Sequence, residues 1–76
     1  MSAVQCKMAR AALGWGTRDL ARRARISQTT VTRFENGLSK PNASTLVVMQ
    51  RAFEEAGIIF IHNGVGEGVH IRWKKG

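Results

Sequence analysis

The stretch TRDLARRARISQTTVTRFENG, residues 17–37, decides the fold. Leu20, Ala21 and Ala24 form an apolar stripe at helical spacing, Asp19 lies in the first turn where a carboxylate suits the helix dipole, and Thr17 is placed to cap the start. This predicts a helix of about two turns. Ser27 then stands as the cap of a further helix, Gln28 to about Asn36, whose inward face is Val31, Phe34 and part of Glu35 and which Gly37 ends. Only Arg25-Ile26-Ser27 separate the two, so the helices must meet at a steep angle over a small contact of Ala21, Ile26 and Val31: a helix-turn-helix. The turn has no glycine, so Ala24 or Arg25 must adopt the tight conformation itself.

Upstream, Val4, Met8, Ala11 and Ala12 mark a helix from about Ser2 to Leu13 in a segment rich in good helix formers, with Gly14 as its stop. Downstream, Lys40-Pro41-Asn42 breaks the chain, and Asn42 or Ser44 caps a fourth helix that turns Leu46, Met49, Ala52, Phe53 and Ala56 to one side before Gly57 closes it. The period then changes. Ile58-Ile59-Phe60-Ile61-His62 is β-branched and aromatic, Asn63 to Gly68 is turn chemistry, and Val69 to Trp73 alternates, which reads as two strands joined by a glycine-rich loop. The expected architecture is mainly α: four helices over residues 1–57, then a two-strand β extension with a basic tail over 58–76.

With 76 residues the chain holds one small core. No run approaches the length of a membrane span, and the N-terminal residues have no basic region followed by an apolar core, so neither membrane insertion nor export is expected. A single cysteine, Cys6, forms neither an internal disulfide nor a zinc site, which makes a reducing cytoplasm the default. Charge is more informative. The formal net charge of +7 attracts polyanions, nucleic acid before membrane. Through residue 40 the chain carries eight bases (Lys7, Arg10, Arg18, Arg22, Arg23, Arg25, Arg33, Lys40) against Asp19 and Glu35, a net of +6 concentrated around the helix-turn-helix.

Thr17-Arg18-Asp19-Leu20-Ala21, Ile26-Ser27-Gln28-Thr29-Thr30-Val31, Phe34-Glu35-Asn36-Gly37 and Lys40-Pro41 resemble the helix-turn-helix of the xenobiotic response element (XRE) family, which includes the phage Cro and CI repressors. The resemblance covers about residues 5–57. The strand pair after the fourth helix is similar to very short XRE regulators of bacterial chromosomes, plasmids and mobile elements. The resemblance implies a lambda-repressor-like bundle, five-helix or shortened to four, that lays its third helix in the major groove of double-stranded DNA. It also implies a salt bridge between Arg10 and Glu35, which would make Arg10 mainly structural.

The outward face of the third helix independently suits base edges. Gln28, Thr29 and Arg33 are the expected base readers, with Thr32 behind them, because Gln pairs with adenine, Arg with guanine, and Thr with a polar edge or a thymine methyl. Thr17, Arg18, Thr30, Asn36 and Lys40, at the edges of the motif, are the expected phosphate ligands. Arg22, Arg23 and Arg25 read more simply as a solvated face. Both faces of the first strand are apolar, which is expected when a strand is covered on both sides. A second copy of the chain is therefore expected over Ile59, Ile61, Val69, Ile71 and Trp73, and a dimer calls for an operator that is an approximate inverted repeat. The function read from these features is a dimeric repressor; the alternative is an antitoxin or antiactivator that acts through a protein partner. Trp15 and Cys6 read as packing residues and His62 and His70 lack a third ligand, so no cofactor, metal or enzymatic activity is expected.

Overall fold

The computed structural model describes residues 1–63 and 66–71. Four helices, α1 (Ala3–Leu13), α2 (Thr17–Ala24), α3 (Gln28–Glu35) and α4 (Ala43–Glu55), precede two strands, β1 (Ile58–Asn63) and β2 (Gly66–Ile71). The strands pair antiparallel, with Ile58 opposite Ile71, Phe60 opposite Val69 and Asn63 opposite Gly66. Strand β2 thus takes in Gly66, Glu67 and Gly68, which sequence reading assigns to the turn. Ladder pairing with β1 outweighs the weak strand preference of the glycines.

Local chemistry accounts for each helix end. Ser2 and Gln5 form a capping box at α1: Gln5 N–H donates to Ser2 Oγ (3.1 Å) and Ser2 N–H to Gln5 Oε1 (3.0 Å). Ser27 Oγ accepts from Thr30 N–H, and Asn42 Oδ1 from Thr45 N–H, which decides for Asn42 over Ser44 as the cap of α4. At α2 the cap is Gly16 and not Thr17. Asp19 Oδ2 accepts Gly16 N–H at 2.8 Å and Gly16 O accepts from Asp19 and Leu20, so the helix begins one residue earlier than its hydroxyl suggests. Helices α1, α2 and α3 each end on a left-handed residue with the paired carbonyl bonds of a Schellman motif. Gly14 and Gly37 serve at α1 and α3; at α2 the residue is Arg25, at φ 58°.

The core contains Cys6 and Ala9 from α1, Leu20, Ala21 and Ala24 from α2, Val31 and Phe34 from α3, Met49, Ala52 and Phe53 from α4, and Ile58 from β1. Phe53 joins its parts. It stacks on Trp15 (5.6 Å between centroids) and meets the edge of Phe60 (5.9 Å), so the α1–α2 connection, α4 and the sheet share one aromatic cluster. Gln5, 3% exposed, ties α1 to the sheet: its Nε2 donates to the carbonyls of Ile61 (3.0 Å) and Gly68 (3.3 Å), which face each other across the ladder.

Candidate nucleic-acid interface

Helix α3 has two faces. Val31, Phe34 and Glu35 are buried, while Gln28, Thr29, Thr32, Arg33 and Asn36 are exposed on a continuous arc, as a 3.6-residue repeat requires. An eight-residue helix is not stable by itself in water, so its orientation is set by what holds its buried face.

The strongest hold is an ion pair. Arg10 on α1 grips the Glu35 carboxylate with both ends of its guanidinium, Nε to Oε2 and Nη2 to Oε1, each at 2.6 Å, and donates its third contact, Nη1, to the Trp15 carbonyl at 3.0 Å. The Cys6 thiol donates to the same carboxylate at 3.3 Å. Burial alone would push the Glu35 pKa up, but hydrogen bonds from Arg10 and Cys6 and the charges of Arg10 and Lys7 outweigh it, so the carboxyl lies below its usual range. Its hydrogen bond to Glu35 raises Arg10. Cys6 is pushed far above the ordinary thiol range, first by burial and then by Glu35, which keeps it a protonated donor with no nucleophilic character.

At the other end of α3, Gln28 Nε2 donates to Thr17 Oγ1 at 2.9 Å, linking the first residues of α2 and α3. Thr17 has this hydroxyl free because Gly16 caps its helix. Gln28 keeps its carbonyl oxygen and a second amide hydrogen, the pair that a bidentate contact to adenine uses. Thr32 donates its hydroxyl to Gln28 O (3.1 Å), and Thr30 pairs its hydroxyl with Ser27 (2.7 Å) and is half-buried. Arg18, Asn36 and Lys40 are exposed around this face.

Trp15 is held between packing partners: beside Phe53, its ring takes the Arg23 guanidinium at 4.6 Å from the centroid. On the sheet, Ile59 and Ile61 are 37% and 40% exposed on one face, while Val69 lies on the other, packed on the core of its own chain. Ile71 stands opposite Ile58; its side chain, and all of Trp73, lie outside the described residues.

Two features of the site have no counterpart in the sequence reading. The capping-box spacing Ser2-x-x-Gln5 signals half of what Gln5 does, but its bonds to the sheet have no local signature. The Thr17–Gln28 bond joins residues eleven apart and depends on the crossing of α2 and α3. Among the described residues no three of His, Cys, Asp and Glu gather as a metal site, and no helix is long and apolar enough to cross a membrane.

A short helix presented by a tight turn from a preceding helix, with an exposed polar and basic arc at its N-terminal end, defines a helix-turn-helix DNA-binding protein. The helix-turn-helix family model HTH_3, of XRE type, matches residues 7–56, and the chain belongs to that family of DNA-binding regulators. No curated protein matches the chain.

Proposed function

We propose that the protein is a dimeric transcriptional repressor that binds an inverted-repeat operator with α3 in the major groove. The observation that carries this reading is the segregation of α3: its inward residues are locked by Arg10 and the core, and its outward arc consists of side chains that pair with base edges. Gln28, Thr29 and Arg33 read bases, and the methyl of Thr32, whose hydroxyl is already engaged, meets a thymine methyl. Thr17 and Arg18, at the start of α2 where backbone N–H groups have no helical partner, bind phosphate with Thr30, Asn36 and Lys40. Arg10 and Glu35 are structural.

Residues 1–57 form the DNA-binding unit, and the strands that follow dimerise it through Ile59 and Ile61. Such a ribbon, with one apolar face uncovered, is marginal in water, and a second copy covers it. Two recognition helices then stand about 34 Å apart, one turn of DNA.

The test is footprinting of the purified protein on the DNA just upstream of its own gene, with random duplex as competitor, across a salt series. A protected inverted repeat that survives competitor, with affinity falling as salt rises, supports the reading. Equal weak binding to operator and random DNA refutes it.

A further inference from the structure

Three helices of this chain end in the same backbone motif, and only one of them lacks a glycine at the left-handed position. Gly14 and Gly37 take that conformation without strain. Arg25 takes it against the clash of its own Cβ, at φ 58°, with its backbone N–H donating to Arg22 O and the next residue's to Ala21 O. An L residue kept where glycine is easier points to a use for its side chain. Helix polarity does not supply that use, because Arg22 and Arg23 already provide the last turn of α2 with positive charge.

The neighbours narrow the use. At about 100° per residue, Arg18 and Arg22 are about 40° apart on α2, and Arg23 is about 100° farther round. Arg23 is engaged with Trp15, on the flank that leads through Phe53 to α4. Arg18 and Arg22 lie on the flank turned away from it, and Arg25 follows at the left-handed end of the helix, three residues before Gln28. All three are exposed. Among the described residues the ion pair is Arg10–Glu35, so no carboxylate answers this set. Arg18 follows Thr17, whose bond to Gln28 joins the start of α2 to the start of α3, and Arg25 begins the three-residue turn that leads into Gln28, so both ends of this set are tied to the start of the candidate reading helix.

We infer that Arg22 and Arg25 form a basic lip beside the recognition helix that binds the phosphodiester backbone of the duplex being read. The lip adds affinity common to all sequences and leaves base preference to α3. The inference rests on the DNA-binding reading above. Charge selects the occupant: three exposed guanidinium groups, with no ion-pair partner among the described residues, fit the dense negative charge of a DNA strand, with Arg18 as the member already expected to touch it.

Arg25→Gly tests it, because strain relief and charge loss act in opposite directions. The variant is expected to melt at or above the wild-type temperature while binding both operator and random duplex more weakly. The slope of log affinity against log salt should become shallower by about 0.9, so a fourfold rise in salt costs the variant about 3.5-fold less affinity than it costs the wild type. Arg25→Lys should restore the slope, and Arg22→Gln should reduce it by a similar step. Wild-type affinity and slope in Arg25→Gly overturn the inference and turn attention to an acidic protein surface. So does a lower melting temperature, which would make the arginine a structural residue, or a loss confined to the operator. Absence of DNA binding by the wild type itself removes the reading on which the inference rests, and is distinguishable from all of these.

Discussion

Arg10 and Glu35 are an unequal pair, and removing either one should expose the difference. The Glu35 side chain is 5% exposed and the Arg10 side chain 21%. Arg10→Ala leaves a buried carboxylate with only the Cys6 thiol as donor and also strips the Trp15 carbonyl of its partner, a change that typically costs about 3–5 kcal/mol. Glu35→Gln leaves a guanidinium that can turn its free end to water and still bond the new amide oxygen, at about 1–3 kcal/mol. A domain of 76 residues has about 4–11 kcal/mol in all, so the first variant approaches the folding threshold and the second does not. The pH dependence should also invert. In the wild type the Glu35 pKa is lowered by folding, so its contribution is complete above the unfolded value, about 4.3, and is lost as pH falls through the folded one. In Arg10→Ala burial prevails and the folded pKa rises, so the variant loses stability as pH climbs from about 4.3 towards neutrality. Urea denaturation followed by circular dichroism at pH 7 and pH 4.5 measures both effects. If Glu35→Gln costs as much as Arg10→Ala, or the deficit of Arg10→Ala does not shrink at pH 4.5, the asymmetry argued from burial is wrong.

Gln5→Ala removes the reciprocal half of the α1 cap and the donor to Ile61 and Gly68; a loss of about 2–3 kcal/mol in the same denaturation assay is expected, and a loss below about 0.5 kcal/mol would show the bridge to be idle. Arg33→Ala should cost about 1–3 kcal/mol on the operator and relax preference at one base pair, whereas Lys40→Ala should weaken operator and random duplex alike; selection from a randomised site distinguishes them. Ile59→Lys with Ile61→Lys should yield monomers in analytical ultracentrifugation without loss of helical signal, since both side chains face away from the core, and an unchanged dimer would place the interface elsewhere.

The helices were legible from their punctuation, Ser27 and Asn42 as caps and Gly14 and Gly37 as stops, and in α2, α3 and α4 the apolar residues at helical spacing match the core. In α1 they do not, because Val4, Ala11 and Ala12 stand exposed and the inward face is Gln5, Cys6 and Ala9, with Gln5 bonded to the sheet and Cys6 to Glu35 of the Arg10–Glu35 pair. The glycine-free turn left two residues to take the strain, and the packing of Ile26 onto the core selects Arg25. What was not legible depends on tertiary proximity or on competition between local rules. Asp19 competes with Thr17 for the start of α2 and prevails because a carboxylate at the third position reaches back to Gly16 N–H. The extent of β2 followed from pairing, not from composition. Strand alternation gave the two faces of β1, but only the fold distributes the apolar residues between them: Val69 completes the core of its own chain while Ile59 and Ile61 stay outside it.

The arrangement of α3 separates holding from reading. Ser27, Val31, Phe34 and Glu35 anchor it through a cap, the core and an ion pair, and none of them belongs to the exposed arc. Thr29, Arg33 and Asn36 therefore contribute little to the fold, and under the proposed reading the bases recognised by Thr29 and Arg33 can change with little cost in stability. Gln28 is the exception. Its amide is engaged by Thr17, so the side chain is oriented before any duplex arrives and loses less rotamer freedom on binding than a free glutamine would. The same bond makes Thr17 a determinant of how Gln28 presents itself. Under the proposed reading, specificity at the base pair that Gln28 meets would thus belong to two residues on two helices, because the three-residue turn brings the start of α2 against the start of α3.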